Sequence, residues 1–310
     1  MRFLPLLFLS AALAQTPTYE EKLRALQLPV CVLPYNQLIE LKDLPTRFYS
    51  GSWMSKLPDD SPISLVSIPA THDAGTGLAQ TGGTRCQVLT IPAQLSVGFR
   101  GYDIRLRLVN DELGVYHNEE SQRLSFKDVM EAFSVYLKEH PTEFLVMRIR
   151  EESKALNSTK SFDDAFAEVR GSDRYGSLFY AASSRNEIPT VGQLRGKVLL
   201  LDNYGNLPQA VDYPNPSMSV QDDYDTSDMD KKYREIIAKF QDALDEKTGA
   251  VWDVNYTSSA TSQVDQLQNA KAVNAKVERW LRGKKGHLGL VFTNFAGIRE
   301  TRDIIDSNFP

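Results

Sequence analysis

From Pro62 onward the chain falls into short apolar or alternating runs. These are I-S-L-V-S-I-P (63 to 69), G-Y-D-I-R-L-R-L (101 to 108), L-G-V-Y-H (113 to 117), F-L-V-M-R-I-R (144 to 150), K-V-L-L-L-D (197 to 202), S-M-S-V-Q (217 to 221), A-V-W-D-V-N-Y (250 to 256) and L-G-L-V-F-T-N-F (288 to 295). Their length and their β-branched and aromatic content predict eight strands. Between several of them the period lengthens to that of an amphipathic helix, over 124–139, 161–169, 230–245 and 272–281. Strands alternating with helices imply βαβ units and a parallel sheet, and eight strands close a barrel. The connections at 69–100 and 108–113 carry no regular helical pattern, so the predicted fold is an α/β single domain, an irregular (β/α)8 barrel.

Upstream of Pro62 the pattern is different. M-R-F-L-P-L-L-F-L-S-A-A-L-A has one basic residue, an apolar run and small residues at Ala12 and Ala14, which predicts a secretory signal over 1–14. Residues 15–52 read as an irregular lead-in, and 53–310 as the barrel domain. The expected location is therefore extracellular. There the two cysteines, Cys31 and Cys86, are expected to pair as a disulfide rather than to stay as two buried thiols. Asn157 and Asn255 head the two glycosylation sequons; the first sits in a polar stretch, the second in a strand run. A net charge of −5 argues against a nucleic-acid partner, which needs a basic footprint, and gives no pull toward anionic lipid.

Candidate chemistry emerges from strand parity. In Y-D-I-R-L-R-L the side chains of Asp103, Arg105 and Arg107 share one face, and Tyr102, Ile104 and Leu106 the other. With helices outside the barrel, the charged set points in. The same parity puts His117 at the end of one run and Arg148 with Arg150 near the end of another. The first run ends in His72 and Asp73 before dissolving into glycine. Barrel active sites lie at the C-terminal ends of strands, and there the chain collects His72, Asp73, Asp103, Arg105, His117 and Arg150. His140 and His287 read as surface residues. Two imidazoles flanking an arginine suit a phosphodiester: one takes a proton from an attacking hydroxyl, the other gives one to the leaving oxygen, and the arginine offsets phosphoryl charge. Arg105 holds the place where a metal-dependent phosphodiesterase would need carboxylates, so metal-free and cofactor-free chemistry is expected.

These residues carry a family resemblance. S-I-P-A-T-H-D-A-G-T, then Q-L-S-V-G-F-R-G-Y-D-I-R-L-R, V-Y-H and F-K-D-V-M-E-A-F-S-V-Y-L-K-E-H-P-T-E-F-L-V-M-R-I-R-E-E resemble the X domain of bacterial-type phosphatidylinositol-specific phospholipase C. The likeness runs from about Trp53 to the C-terminus and is densest through Glu152. It implies an irregular (β/α)8 barrel that cleaves phosphatidylinositol to diacylglycerol and inositol 1,2-cyclic phosphate, which is then slowly hydrolysed. It further implies His72 as general base, His117 as general acid, Arg105 as phosphate ligand, and Asp73 and Asp103 as orienting carboxylates. Arg150 matches a lysine, and V-Q-D-D-Y supplies Asp222 and Tyr224 to the inositol ring.

Two departures stand out. L-L-L-D-N-Y-G (199 to 205) lacks an arginine that relatives present to the inositol ring, and Asn294 stands where they have an aspartate behind the base. Reduced turnover is expected. The other readings these departures leave open are action on another lipid or glycerophosphodiester, and a non-catalytic binder of inositol lipids. The loops at 75–87 and 255–262 carry no apolar wedge, and Trp280 reads as core, so contact with a membrane surface is expected to be transient and the protein a monomer.

Overall fold

The computed structural model describes residues 52–79, 82–261 and 266–310. The predicted signal, nearly all of the predicted lead-in, and Cys31 lie outside the described residues.

Strand β1 starts later than its apolar run. Pro62 opens a 3-10 turn at Ile63–Leu65, closed by Leu65 N to Pro62 O and Val66 N to Ile63 O, and β1 is Ile68–Thr71. β2 (Gly101–Val109) lies parallel beside it. The run at 113–117 is not a barrel stave. As β3 (Glu112–His117) it folds back antiparallel on β2 and pairs with β4 (Glu120–Ser125), a strand too polar to show in the pattern. The turn between β2 and β3 is too short for a parallel crossover, which needs about a dozen residues.

The remaining staves are β5 (Leu145–Glu151), β6 (Val198–Asp202), β7 (Val211–Asp212), β8 (Met218–Gln221), β9 (Trp252–Tyr256) and β10 (Leu290–Thr293). Strand β7 hides in a Pro- and Asp-rich stretch. All eight staves run parallel in the order β7-β6-β5-β2-β1-β10-β9-β8, and among the described residues no ladder joins β7 to β8. The result is the expected irregular barrel, opened along one seam.

Helices cover the outside: α1 (Ile91–Val97), α2 (Phe126–Glu139), α3 (Phe162–Arg170), α4 (Val191–Leu194), α5 (Met229–Asp245), α6 (Gln266–Leu281) and α7 (Ile298–Asp306). Ser125 starts α2 with a capping box to Asp128. Tyr102, Ile104 and Leu106 of β2 pack outward into a core with Phe126, Phe133 and Phe166. The inward residues Ile68, Ala70, Val146, Leu199, Leu201, Val254, Leu290 and Phe292 form a second core that fills the lower barrel, with Trp53 and Met54 packed against it. A third core lies among α5, α6 and α7, where Trp280 stacks on Phe240 at 5.3 Å. His287 is buried, against the sequence reading, and His140 is half-buried. No helix among the described residues is long and apolar enough to cross a membrane.

Candidate active site

Two residues past the last inward apolar layer, strand register carries polar groups into the barrel mouth. Asp103 aligns with Arg148 and Arg105 with Arg150 across β2 and β5. His72, Asn203, Tyr213, Asp222, Tyr256 and Asn294 hold the matching parity at the ends of β1, β6, β7, β8, β9 and β10.

The backbone around His72 is tightly held. Gln87 Nε2 donates to both His72 O and Thr293 O at 2.7 Å, and Thr76 Oγ1 accepts from the Cys86 and Gln87 amides. Gln94 Nε2 donates to Ala74 O at 2.8 Å, while its Oε1 accepts from Thr71 Oγ1. Asp73 adopts a left-handed conformation, φ 46° and ψ 54°, which turns its carboxylate back toward the histidine. The glycines that follow allow the loop to press on its neighbours: a Cβ on Gly75 would lie 2.5 Å from Val115 Cγ1 of β3.

His72 is 2 % exposed and bonded at both ring nitrogens. Nε2 lies 2.7 Å from Arg105 Nη2 and Nδ1 lies 2.9 Å from Asn294 Oδ1. Arginine has donors only, so Nε2 carries the lone pair and Nδ1–H donates to the amide oxygen. Burial, aided by Arg105 and opposed by Asp73 and Asp103, lowers the His72 pKa to about 4, leaving a neutral ring at pH 7. His117, at the end of β3, donates from Nδ1 to Thr84 O at 2.7 Å. Its Nε2 faces Asp73 Oδ2 at 3.9 Å, and the same oxygen lies 3.5 Å from His72 Nδ1. One carboxylate thus faces both imidazoles.

Arg105 is the hub. Its Nε lies 2.7 Å from Asp73 Oδ1 and 3.2 Å from Asp103 Oδ2, and its Nη1 lies 3.6 Å from Glu152 Oε2. Burial works against the charge, but these three carboxylates raise its pKa further above the usual range. Burial alone would raise the Asp103 carboxyl; Arg148, Arg105 and His72 outweigh it and hold it well below the usual range. Glu152 is pushed up by burial, and its Oε1 accepts the Asn118 amide at 2.8 Å, tying the end of β5 to the turn after His117.

The other expected residues divide. Tyr224 sits in the mouth with its ring centroid 5.7 Å from that of His72, and Asp222 opens to solvent beside it. Arg150 stays on the rim, its side chain 46 % exposed and its Nε 3.9 Å from Glu152 Oε2. Asn203 meets Arg148, whose Nη2 donates to the Asn203 side chain, so a cation reaches that spot from the neighbouring strand. Glu152, Gln87 and Gln94 escaped the sequence reading. Glu152 closes the densest stretch of the resemblance, but the contacts of all three depend on loops meeting in space.

One expectation needs correction, and another, the pairing of Cys86, depends on Cys31, which lies outside the described residues. The Cys86 side chain is fully buried, its Sγ 3.5 Å from Asp73 Oδ2, and burial next to that carboxylate raises its pKa. Asn255 is fully buried, accepting from Gln221 and donating to Ile236 O, and so cannot carry a glycan. The strand run that contains it faces α5 at this position. Arg150, expected among the groups at the strand ends, lies there on the rim of the cluster. Asn157, by contrast, is exposed.

His72, Asp73 and Cys86 present ligand atoms within 4.8 Å of one another. Arg105 touches both His72 and Asp73, so a cation there would face a fixed positive charge. The donor set fits an anionic ligand better than a metal.

The family model for the phosphatidylinositol-specific phospholipase C X domain matches residues 60–204. The 1-phosphatidylinositol phosphodiesterase of Listeria monocytogenes is 30% identical over 293 residues, covering 86% of this chain and 88% of its own. The solved phosphatidylinositol-specific phospholipase C from Listeria monocytogenes superposes with a TM-score of 0.73 at 28% identity, over 84% of this chain and 98% of that one. A Staphylococcus aureus structure at 23% identity shares the fold, with a TM-score of 0.76 over 84% of this chain and 97% of its own. With the barrel, the mouth and these relatives together, the chain belongs to the phosphatidylinositol-specific phospholipase C X-domain family.

Proposed function

We propose that this protein cleaves phosphatidylinositol by internal attack of the inositol 2-hydroxyl on phosphorus, releasing diacylglycerol and inositol 1,2-cyclic phosphate. The observation that carries the reading is the pair His72 and His117 facing one Asp73 oxygen, with Arg105 against the same carboxylate. In the free enzyme Arg105 Nη2 covers the His72 lone pair. A phosphoryl oxygen that takes this donor releases Nε2 to accept the hydroxyl proton. His117, protonated at Nε2, gives its proton to the departing diacylglycerol oxygen, and the roles reverse when water opens the cyclic ester. Asp73 stabilises the imidazolium at either position, and Asp222 and Tyr224 border the space for the inositol ring.

The general-acid role is tested by the leaving group. His117→Ala should lose about a thousandfold on phosphatidylinositol yet far less on an inositol nitrophenyl phosphodiester, whose leaving oxygen needs no proton. Equal loss on both substrates would remove His117 from that role. The apolar leader supports a secreted protein, and exposed Asn157 is the sequon we expect to be modified. We expect a monomer that meets membranes transiently, because Leu156 is the one large apolar side chain exposed among the described residues.

A further inference from the structure

Arg148 takes no part in the steps above, yet it is a buried cation on the floor of the mouth, its side chain 9% exposed. Its Nη1 lies 2.6 Å from Asp103 Oδ1, its Nη2 donates to Asn203 Oδ1, and its guanidinium carbon lies 5.0 Å from the Tyr213 ring centroid. The Nε has no hydrogen-bond partner among the described residues. Desolvating such a charge is unfavourable unless a partner compensates it, and the partner here reaches into the chemistry. The second oxygen of Asp103 accepts from the Asp73 amide and from Arg105 Nε, both at 3.2 Å, and lies 3.9 Å from His72 Nε2. Arg105 therefore faces three carboxylates, Asp73, Asp103 and Glu152. Arg105 with these three carboxylates sums to −2, and the cluster that an anionic phosphodiester approaches reaches neutrality only with Arg148 on Asp103 and Arg150 3.9 Å from Glu152.

We propose that Arg148 is a positioning residue acting through Asp103: by neutralising that carboxylate from below, it leaves Arg105 its charge for the phosphate and keeps the His72 lone pair unprotonated. The inference rests on the roles given above to His72 and Arg105. The charged and titratable groups facing the His72 ring are Asp73 and Cys86 from the loop after β1, Asp103 and Arg105 from β2, Tyr224 after β8 and Tyr256 from β9. Among them Asp103 is the one hydrogen-bonded to Arg148 in the described residues.

The test follows the His72 ring by NMR titration of nitrogen-labelled histidines, four in the chain, without substrate. Its outcome is thus independent of which phosphodiester is cleaved. Arg148→Gln keeps donors for Asp103 and Asn203 and removes only the charge. The His72 midpoint should rise by about one pH unit and kcat/KM for phosphatidylinositol fall about tenfold or more. Arg148→Lys, which keeps the charge, should leave the midpoint in place and recover most of the activity. A folded Arg148→Gln with an unmoved midpoint overturns the proposal. Should Arg148→Gln fail to fold, Arg148→Lys decides: an unmoved midpoint supports the proposal, and one raised by a full unit overturns it.

Discussion

Asn294 accepts a hydrogen bond from His72 Nδ1 with a neutral amide oxygen, while its own buried Nδ2 has no partner among the described residues. An amide fixes the ring's orientation but cannot offset the positive charge that forms when the base takes its proton. Asn294→Asp should therefore raise kcat about tenfold, the equivalent of one pKa unit of added stabilisation. It should also move the acid limb of the pH–rate profile up from about pH 4. The sign is fixed by the base: His72 works deprotonated, its folded pKa lies near 4, and activity falls as pH drops through that value. An unchanged or slower rate would show that Asn294 does not back the base. At this scale the sequence was most legible where strand parity applied. His72 and Asp73 are expected at the mouth because their run ends there, and Asp103, Arg105 and His117 from alternation; all five meet there.

The β3–β4 hairpin carries His117, and the loop after β1 carries His72 and Asp73; the two are pressed together at Gly75 and Val115. Gly75→Ala should force them apart, lowering kcat about tenfold and stability by about 1–3 kcal/mol, the usual cost of overpacking. Val115→Ala in the same chain removes the obstructing methyls and should restore much of both. Steady-state kinetics and urea unfolding of the two variants check this; a double variant no better than the single would show that the contact is not what aligns the two histidines. The hairpin was the least legible element. Its first strand shows the same alternation as a barrel stave, and only the short turn at Asn110 and Asp111 reveals that it folds back. Strand β7 was missed because two residues, Val211 and Asp212, give no period. The polar clasp of Glu152 on Asn118 depends on which loops meet, and residue order does not encode that locally.

At the scale of the molecule, the chain carries a net charge of −5, and Leu156 is the one large apolar side chain exposed among the described residues. Binding to lipid vesicles should therefore be weak and should not increase with the mole fraction of anionic lipid. Sedimentation with vesicles of graded composition checks this, and a steep rise with negative lipid would mean that a local basic surface dominates. The sequence predicts eight staves and eight are present among the described residues, with β7 standing where the pattern counts the hairpin strand β3. The count could be right while one member was wrong because closure depends on the number of staves, whereas identity depends on crossover length. The open seam between β7 and β8 was not legible, since both flanking strands are short and polar. The central claim is metal-free, two-histidine cleavage, and phosphorus NMR of the protein with phosphatidylinositol in mixed micelles and excess chelator tests it most directly. A cyclic inositol phosphate resonance that disappears in His72→Ala is the expected result. No cyclic resonance until calcium is supplied, or one that survives in His72→Ala, would contradict it.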